Sequence, residues 1–296
     1  MCDYTGLMGK RRAPPVRKRH ARRDLSEPTG KAPGPGAFLD SLQSQGRYTF
    51  TRAEAARALE LSDAAIKNAF WRLARARRLA TPRRGFYVIV PPEHRALGCL
   101  AAPWFIHDLM AYLGHQYYVG LLTAAALHGA AHQAPQEFQV VTDQPLPLVE
   151  IGRLRLRFVK KAHLADTPTQ PVRTPTGDMR VSTPEATAFD LVRYPQHAGS
   201  LSNVAPVLAE LAERLDGVAL VRVAETEGEV AYARRLGYLL ELVRRAEPAR
   251  PLAEWVAARA TRIVPLTPGR PMTGAPRDSR WRLAVNDDVE PDEGVG

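Results

Sequence analysis

Two helix-start signals stand close together in the first third of the chain: Thr51 in TRAE and Ser62 in LSDAAIK. A hydroxyl just before a helix accepts a backbone N–H that the helix leaves unpaired, and a glutamate three residues on completes a reciprocal pair. Thr51 and Glu54 have that spacing, and Ser62 opens a second helix only a few residues after the first ends. Two helices joined by so short a turn are the outline of a helix-turn-helix. Phe38, Leu39 and Leu42 suggest a short helix ahead of the pair, and Phe50, Ala55, Ala58 and Leu59 supply an apolar stripe for its first member.

The second helix divides by chemistry when wound at about 100° per residue. Ile66, Ala69, Phe70, Leu73, Ala76 and Ala80 fall on one side. Lys67, Asn68, Trp71, Arg72, Arg75 and Arg78 fall on the other, with Ala64 beside them. LATPRRGFYVIV then reads as two short strands about a turn at Arg83, Arg84 and Gly85, the shape of a wing, with Pro82 on an edge where a missing N–H is tolerated. A cationic helix face is often merely solvated. Here it follows a helix-turn-helix spacing and precedes an arginine-tipped hairpin, which favours DNA. A helix in the major groove offers its first side chains to base edges and its later ones to phosphates. Asn68 suits adenine and Lys67 guanine. Trp71 can pack on a sugar or a thymine methyl, or cover the edge of the core, and Arg83 and Arg84 would reach backbone or a minor groove.

The charge distribution points the same way. Residues 1–95 hold 20 Lys and Arg against 8 Asp and Glu, whereas the rest of the chain holds 21 against 23. All of the net charge of +10 therefore resides in the first third, as a polyanionic partner for that part would require. The expected fold class is α+β: an N-terminal winged helix-turn-helix followed by a mixed α/β C-terminal domain. The expected divisions are a disordered basic arm at 1–36, the winged helix-turn-helix at 37–95, the mixed α/β domain at 96–285 and a flexible acidic tail at 286–296. The arm is rich in Arg, Pro and Gly and nearly free of aliphatics, so it cannot bury enough apolar surface to offset its ordering entropy.

Beyond residue 96 helical patterns fall at roughly 104–114 and 119–132, and strands at 137–142 and 153–160. A hairpin is expected around TPTGDMRVST, then a helix capped by Thr183 with Pro184 in its first turn, two longer helices at about 201–215 and 228–246, and short strands near 261–264 and 281–285. In RLRLRFVKK, Leu154, Leu156 and Phe158 alternate with Arg153, Arg155 and Arg157, and Lys161 joins the outward set. Arg153, Arg155 and Arg157 are either a solvated strand face or a second basic surface.

Several chemistries lack their residues. Cys2 and Cys99 are too few for a disulfide framework or a zinc site. His128 and His132 stand one helical turn apart without further ligands at suitable spacing, so no metal and no cofactor is expected, and one of the two can be a satisfied core histidine. There is no GxSxG elbow, no phosphate-binding glycine loop and no E-x-K nuclease pair, and Gly199-Ser200 is not followed by the acidic pair of a nucleotidyltransferase. No catalytic residue is assigned. With no signal peptide or membrane-length apolar run, the chain is expected to be cytoplasmic and to have no membrane partner.

At this point several stretches coincide with one family. The segment from TRAEAARALELSDAAIKNAF to FYVIVPPEHRALG resembles the N-terminal winged helix-turn-helix of the AbiEi antitoxins of type IV toxin–antitoxin systems. YYVGLLTAAALHGAAHQAPQEFQVVT, RVSTPEATAFDLVRY, ARRLGYLLELV and SRWRLAVNDDVEPDE are similar, in that order, to the blocks of the family's C-terminal domain. The resemblance covers about residues 40–292. It implies an antitoxin that serves phage defence and represses its own operon by binding inverted repeats in the promoter. It also implies functional antagonism, without a stable complex, of a nucleotidyltransferase-like toxin encoded next door. Carried over by position, the DNA-reading set is Lys67, Asn68, Trp71, Arg72 and Arg75, with Arg83 and Arg84 on the wing. A nucleic-acid-processing enzyme with a winged-helix targeting module, and an orphan repressor without a toxin, are the alternatives.

Overall fold

Thr51 and Glu54 cap one another as their spacing requires. The Thr51 hydroxyl accepts from the Glu54 N–H at 3.2 Å, and the Glu54 carboxylate accepts from the Thr51 N–H at 2.7 Å. The computed structural model describes residues 32–130 and 135–290. Helix α1 (Pro35–Ser44), strand β1 (Thr49–Thr51), helices α2 (Arg52–Leu59) and α3 (Asp63–Arg75), and strands β2 (Leu79–Arg83) and β3 (Phe86–Ile89) follow one another. Their three strands pair antiparallel in the order β1-β3-β2. The order of elements is the one expected of a winged helix-turn-helix. Helix α1 begins at Pro35, inside the span expected to be a disordered arm; the arm's first 31 residues lie outside the described residues.

Phe50 is the centre of the first core. Phe38 and Phe70 meet its ring edge-on at 5.2 and 5.6 Å, and Tyr87 stacks on it at 5.3 Å. Strand β3 is apolar on both sides for a reason visible in its alternation. Tyr87 and Ile89 face the three helices, while Phe86, Val88 and Val90 enter a second core made by the rest of the chain. A strand covered on both faces reads as a continuous apolar run. The hydrophobic interior therefore runs across residue 95, where a division was expected, and residues from Pro33 onward form one compact unit.

That second core lies between the wing hairpin, helix α4 (Ile106–Leu113) and one face of a six-stranded sheet. The sheet comprises β4 (Tyr117–Val119), β5 (Phe138–Thr142), β6 (Val149–Ile151), β7 (Leu154–Lys160), β8 (Thr169–Thr174) and β9 (Gly177–Ser182), in the order β6-β7-β5-β4-β9-β8. Pairs β5/β7 and β4/β9 are parallel and the others antiparallel. Leu156 and Phe158 point into this core, whereas Val159 points to a third core beneath the opposite face.

Helices α5 (Leu121–Leu127), α6 (Pro184–Arg193), α7 (Leu201–Leu211), α8 (Gly217–Glu227), α9 (Val230–Leu242) and α10 (Ala249–Arg259) build the third core, closed by the short strands β10 (Val264–Pro265), β11 (Arg277–Asp278) and β12 (Leu283–Ala284). The class is α+β, as expected. Helices α8 and α10 were not expected: α8 begins with glycine and carries Val218, Val221 and Val223, while α10 follows Pro248, has no side-chain cap and contains Pro251. Apart from the Asp216 side chain, which caps α8 by accepting from the Ala219 N–H at 2.7 Å, those are poor helix signals, overridden by burial of Leu220, Val223, Leu252 and Val256. Val119 belongs to β4 rather than to the helix expected from residue 119. The acidic end is anchored at its start. Asn286 donates to the Thr267 and Arg270 carbonyls at 3.0 and 2.9 Å, and Val289 is buried.

Candidate nucleic-acid interface

Ser62 sets the start of α3, its hydroxyl accepting from the Ala65 N–H at 3.3 Å. Ile66, Ala69 and Phe70 then anchor the helix in the first core, with Leu73 half-buried beside them. With that stripe committed, the helical repeat turns Lys67, Asn68, Trp71, Arg72 and Arg75 to solvent, and all five are exposed. Trp71 is 59% exposed, so it does not cover the edge of the core. The Arg75 guanidinium lies over its ring, 4.9 Å from the centroid, a cation–π contact that presents the two side chains together. No ion pair joins Lys67, Asn68, Arg72 or Arg75 to another side chain among the described residues. Ala76 is exposed and Ala80 lies on β2, so the apolar stripe of α3 ends earlier than its pattern suggested.

The remaining basic residues of this region divide. Arg78 reaches back to Asp40 at 3.2 Å and ties α3's exit to α1. Arg83, expected at the wing tip facing DNA, turns the other way. Its Nη2 donates to the Pro147 carbonyl at 2.7 Å and its Cζ lies 5.8 Å from the Phe158 ring centroid, and desolvation draws its pKa down. Arg84 alone of the turn pair is exposed, while its backbone carbonyl accepts from the Tyr112 hydroxyl at 3.0 Å. At Gly85, with φ +85°, an added Cβ would meet that hydroxyl at 2.6 Å. The wing is thus pinned at its tip to α4 and by Arg83 to the segment before β6.

The basic strand offers less than its sequence suggests. Arg157 makes two hydrogen bonds to Glu137, at 2.8 and 2.9 Å. Arg155 lies 3.2 Å from both Glu137 and Glu150. The Arg157 hydrogen bonds hold the Glu137 carboxyl below the usual carboxylate range. Arg153 is exposed, so of Arg153, Arg155 and Arg157 the last two are charge-compensated.

Lys161 keeps the alternation but not the exposure expected of it. Expected to face out, it is 2% exposed and its Nζ sits 2.8 Å from Asp190 Oδ1 and also bonds Glu227. It shares its face with Arg157 and Val159, but helices α6 and α8 cover that face at this end, which the strand's own pattern cannot reveal. Tyr118 donates to the other Asp190 oxygen at 2.7 Å, and Arg193 ties Glu227 to Glu229. Burial raises the Asp190 pKa, opposed by the Lys161 charge, and burial with the Asp190 charge raises that of Tyr118. His128 is committed to the core, its Nε2 donating to the Ser182 carbonyl at 2.8 Å; His132 lies outside the described residues. Burial pushes the Cys99 thiol up to about 12, leaving it inert at neutral pH.

No helix among the described residues is long and apolar enough to cross a membrane. No curated protein matches the chain. Among solved structures, the RV2827C protein from Mycobacterium tuberculosis has a similar fold, with a TM-score of 0.61 at 16% identity over 84% of this chain and 89% of that one. Residues 118–242 match the model of the AbiEi antitoxin C-terminal domain. That span takes in β4 to α9, including the Lys161–Asp190 pair. The chain thus carries an AbiEi antitoxin C-terminal domain over those residues.

Proposed function

We propose that the chain is the DNA-binding antitoxin of its pair: a repressor of its own operon that antagonises a nucleotidyltransferase-like toxin. The match of residues 118–242 to the AbiEi antitoxin C-terminal domain supports the antitoxin role and, with it, a toxin as partner. The DNA reading rests on one observation. Lys67, Asn68, Trp71, Arg72 and Arg75 stand exposed, and without ion-pair partners among the described residues, on a helix whose opposite face is locked into a core. A free cationic row on the second helix of a winged helix-turn-helix matches a major-groove reader, with Arg84 on the wing beside it. In this reading residues 37–95 are the reading module, and the protein acts by binding rather than by chemistry of its own. The inverted repeats of the promoter would each take one module.

The reading is tested by fluorescence anisotropy with a labelled fragment of the chain's own promoter, over a range of salt concentrations. Log affinity should fall linearly with log salt, and replacing Lys67, Asn68 and Arg75 by alanine should abolish the sequence-specific component while the circular dichroism spectrum stays native. Undiminished affinity in that triple variant would remove α3 from the interface. Growth rescue on co-expression with a neighbouring nucleotidyltransferase-like gene product tests the antitoxin half separately.

A further inference from the structure

We propose that Arg234, Arg262 and Arg282 form a binding site for a multiply charged phosphoryl group, as carried by inorganic phosphate, pyrophosphate or the phosphate chain of a nucleotide. Arg234 lies on α9 and is 5% exposed. A guanidinium has five N–H donors and stays charged. The protein engages one of its nitrogens: Nη1 donates to the Arg262 carbonyl at 2.6 Å. The buried Nε has no partner among the described residues.

A buried guanidinium ordinarily lies against a carboxylate, because an uncompensated buried charge is strongly destabilising. No ion pair reaches Arg234 among the described residues. Burial draws its pKa down, and so do the charges that act on it, those of Arg282, Arg262 and Arg235, all positive. Three carboxylates of the neighbouring segments are used elsewhere. Glu241 accepts from the Trp281 indole at 2.8 Å and pairs with Arg280, Asp278 accepts from the Trp281 N–H at 2.7 Å, and Asp287 holds Thr267 and Arg270. Arg235 belongs to a different environment, since its Nε and Nη2 both donate to the Pro265 carbonyl and its guanidinium lies over Tyr232.

Strand pairing brings the other two arginines to the same edge. Where β10 runs parallel to β12, the Val264 N–H donates to the Arg282 carbonyl at 3.2 Å, which sets Arg282 beside the segment that leads out of Arg262. Arg262 and Arg282 are exposed and neither has an ion-pair partner among the described residues. The result is one guanidinium with a single protein acceptor and a buried, unpartnered Nε, with two exposed arginines on the adjoining segments. An oxyanion supplies the acceptors that Arg234 lacks, and forked guanidinium donors match phosphoryl oxygens. Three positive charges close enough to act on one another suit a dianion or a higher charge better than the single charge of a phosphodiester. The site is separate from the α3 face, so it stands or falls independently of the DNA reading.

Isothermal titration calorimetry on the full chain, with inorganic phosphate, pyrophosphate and a nucleoside triphosphate in turn against sodium chloride of matched ionic strength, tests the site. Saturable binding is expected, weakened by about tenfold in Arg262→Ala and again in Arg282→Gly, each of which removes charge-assisted donors. Equal affinity for pyrophosphate and the triphosphate would identify the phosphoryl group as the whole determinant; tighter triphosphate binding would identify a nucleotide. Arg234→Met should abolish binding, and if that variant does not fold, the two exposed positions remain decisive. No saturable heat in the wild type, or heats unchanged in both exposed variants, would overturn the site. Loss of promoter affinity in those variants without any binding of the three anions would assign the arginines to DNA backbone and overturn it equally.

Discussion

Lys161 places its Nζ 2.8 Å from Oδ1 of Asp190, and both side chains are sealed from solvent at the junction of β7 with α6. Glu227 of α8 and Tyr118 of β4 complete the contact, so one ammonium joins three elements distant in sequence. Replacing Lys161 by methionine leaves two carboxylates facing each other in the interior. Loss of one partner of a buried pair costs roughly 3–5 kcal/mol, which urea unfolding should report for Lys161→Met. Its exposed neighbour supplies the control, with Lys160→Met expected to stay within about 0.5 kcal/mol. A small effect at Lys161 would mean that the pair is already well solvated.

Gly237 and Trp281 make a second such lock. The indole lies directly on the helix backbone at Gly237, where an added Cβ would overlap its six-membered ring. Its Nε1 is held by Glu241 one turn further along α9. Alanine in a helix is ordinarily favoured over glycine by about 1 kcal/mol. Here the clash reverses the sign, and Gly237→Ala should destabilise by roughly 1–3 kcal/mol, read from thermal melts. The double variant Gly237→Ala/Trp281→Leu should recover part of the loss relative to Trp281→Leu alone.

Glu137 gives the chain an acid-sensitive clasp between the loop before β5 and β7. Its folded pKa is lowered, first by the Arg157 hydrogen bonds. A carboxyl with a depressed folded pKa contributes stability that is full above its unfolded value and is lost as pH falls through the folded one. The stability gap between the wild type and Glu137→Gln should therefore be widest near pH 7 and should close towards pH ~3. A gap that persists unchanged in acid would locate the effect in packing rather than in charge.

The two arginines of the wing should behave differently despite being adjacent. Arg84→Ala should leave the melting temperature unchanged and lower the slope of log affinity against log salt by about 0.9, as loss of one phosphate contact does. Arg83→Ala should leave that slope nearly intact and lower the melting temperature, because its partners are Pro147 and Phe158. Reversed results would place Arg83 on DNA.

Much of the region from α1 to β3 was legible in the sequence because its signals are local. A capping box needs only Thr51 and Glu54, a helix start only Ser62, and a solvent-facing row only residues spaced around a helix whose apolar face is already spoken for. The same reasoning misjudged Arg83 and Lys161, whose surroundings come from segments far along the chain. It also could not separate Arg153 from Arg155 and Arg157, since Glu137 arrives from the loop before β5 and Glu150 from β6. Helices α8 and α10 went unseen because burial, not propensity, stabilises them.

The sequence by itself determined where α2 and α3 begin, which face of α3 is apolar, and that positive charge gathers there. These depend on backbone groups and side chains within a turn or two of each other. Only the tertiary structure decided which charges stay free. Arg84 and the α3 row keep their water, Arg83 gives it up for a carbonyl, Lys161 for two carboxylates, and Arg234 for a carbonyl and a ring of like charges. A charge costs little in water and a great deal without it, so its partners, set by distant segments, decide what it can do.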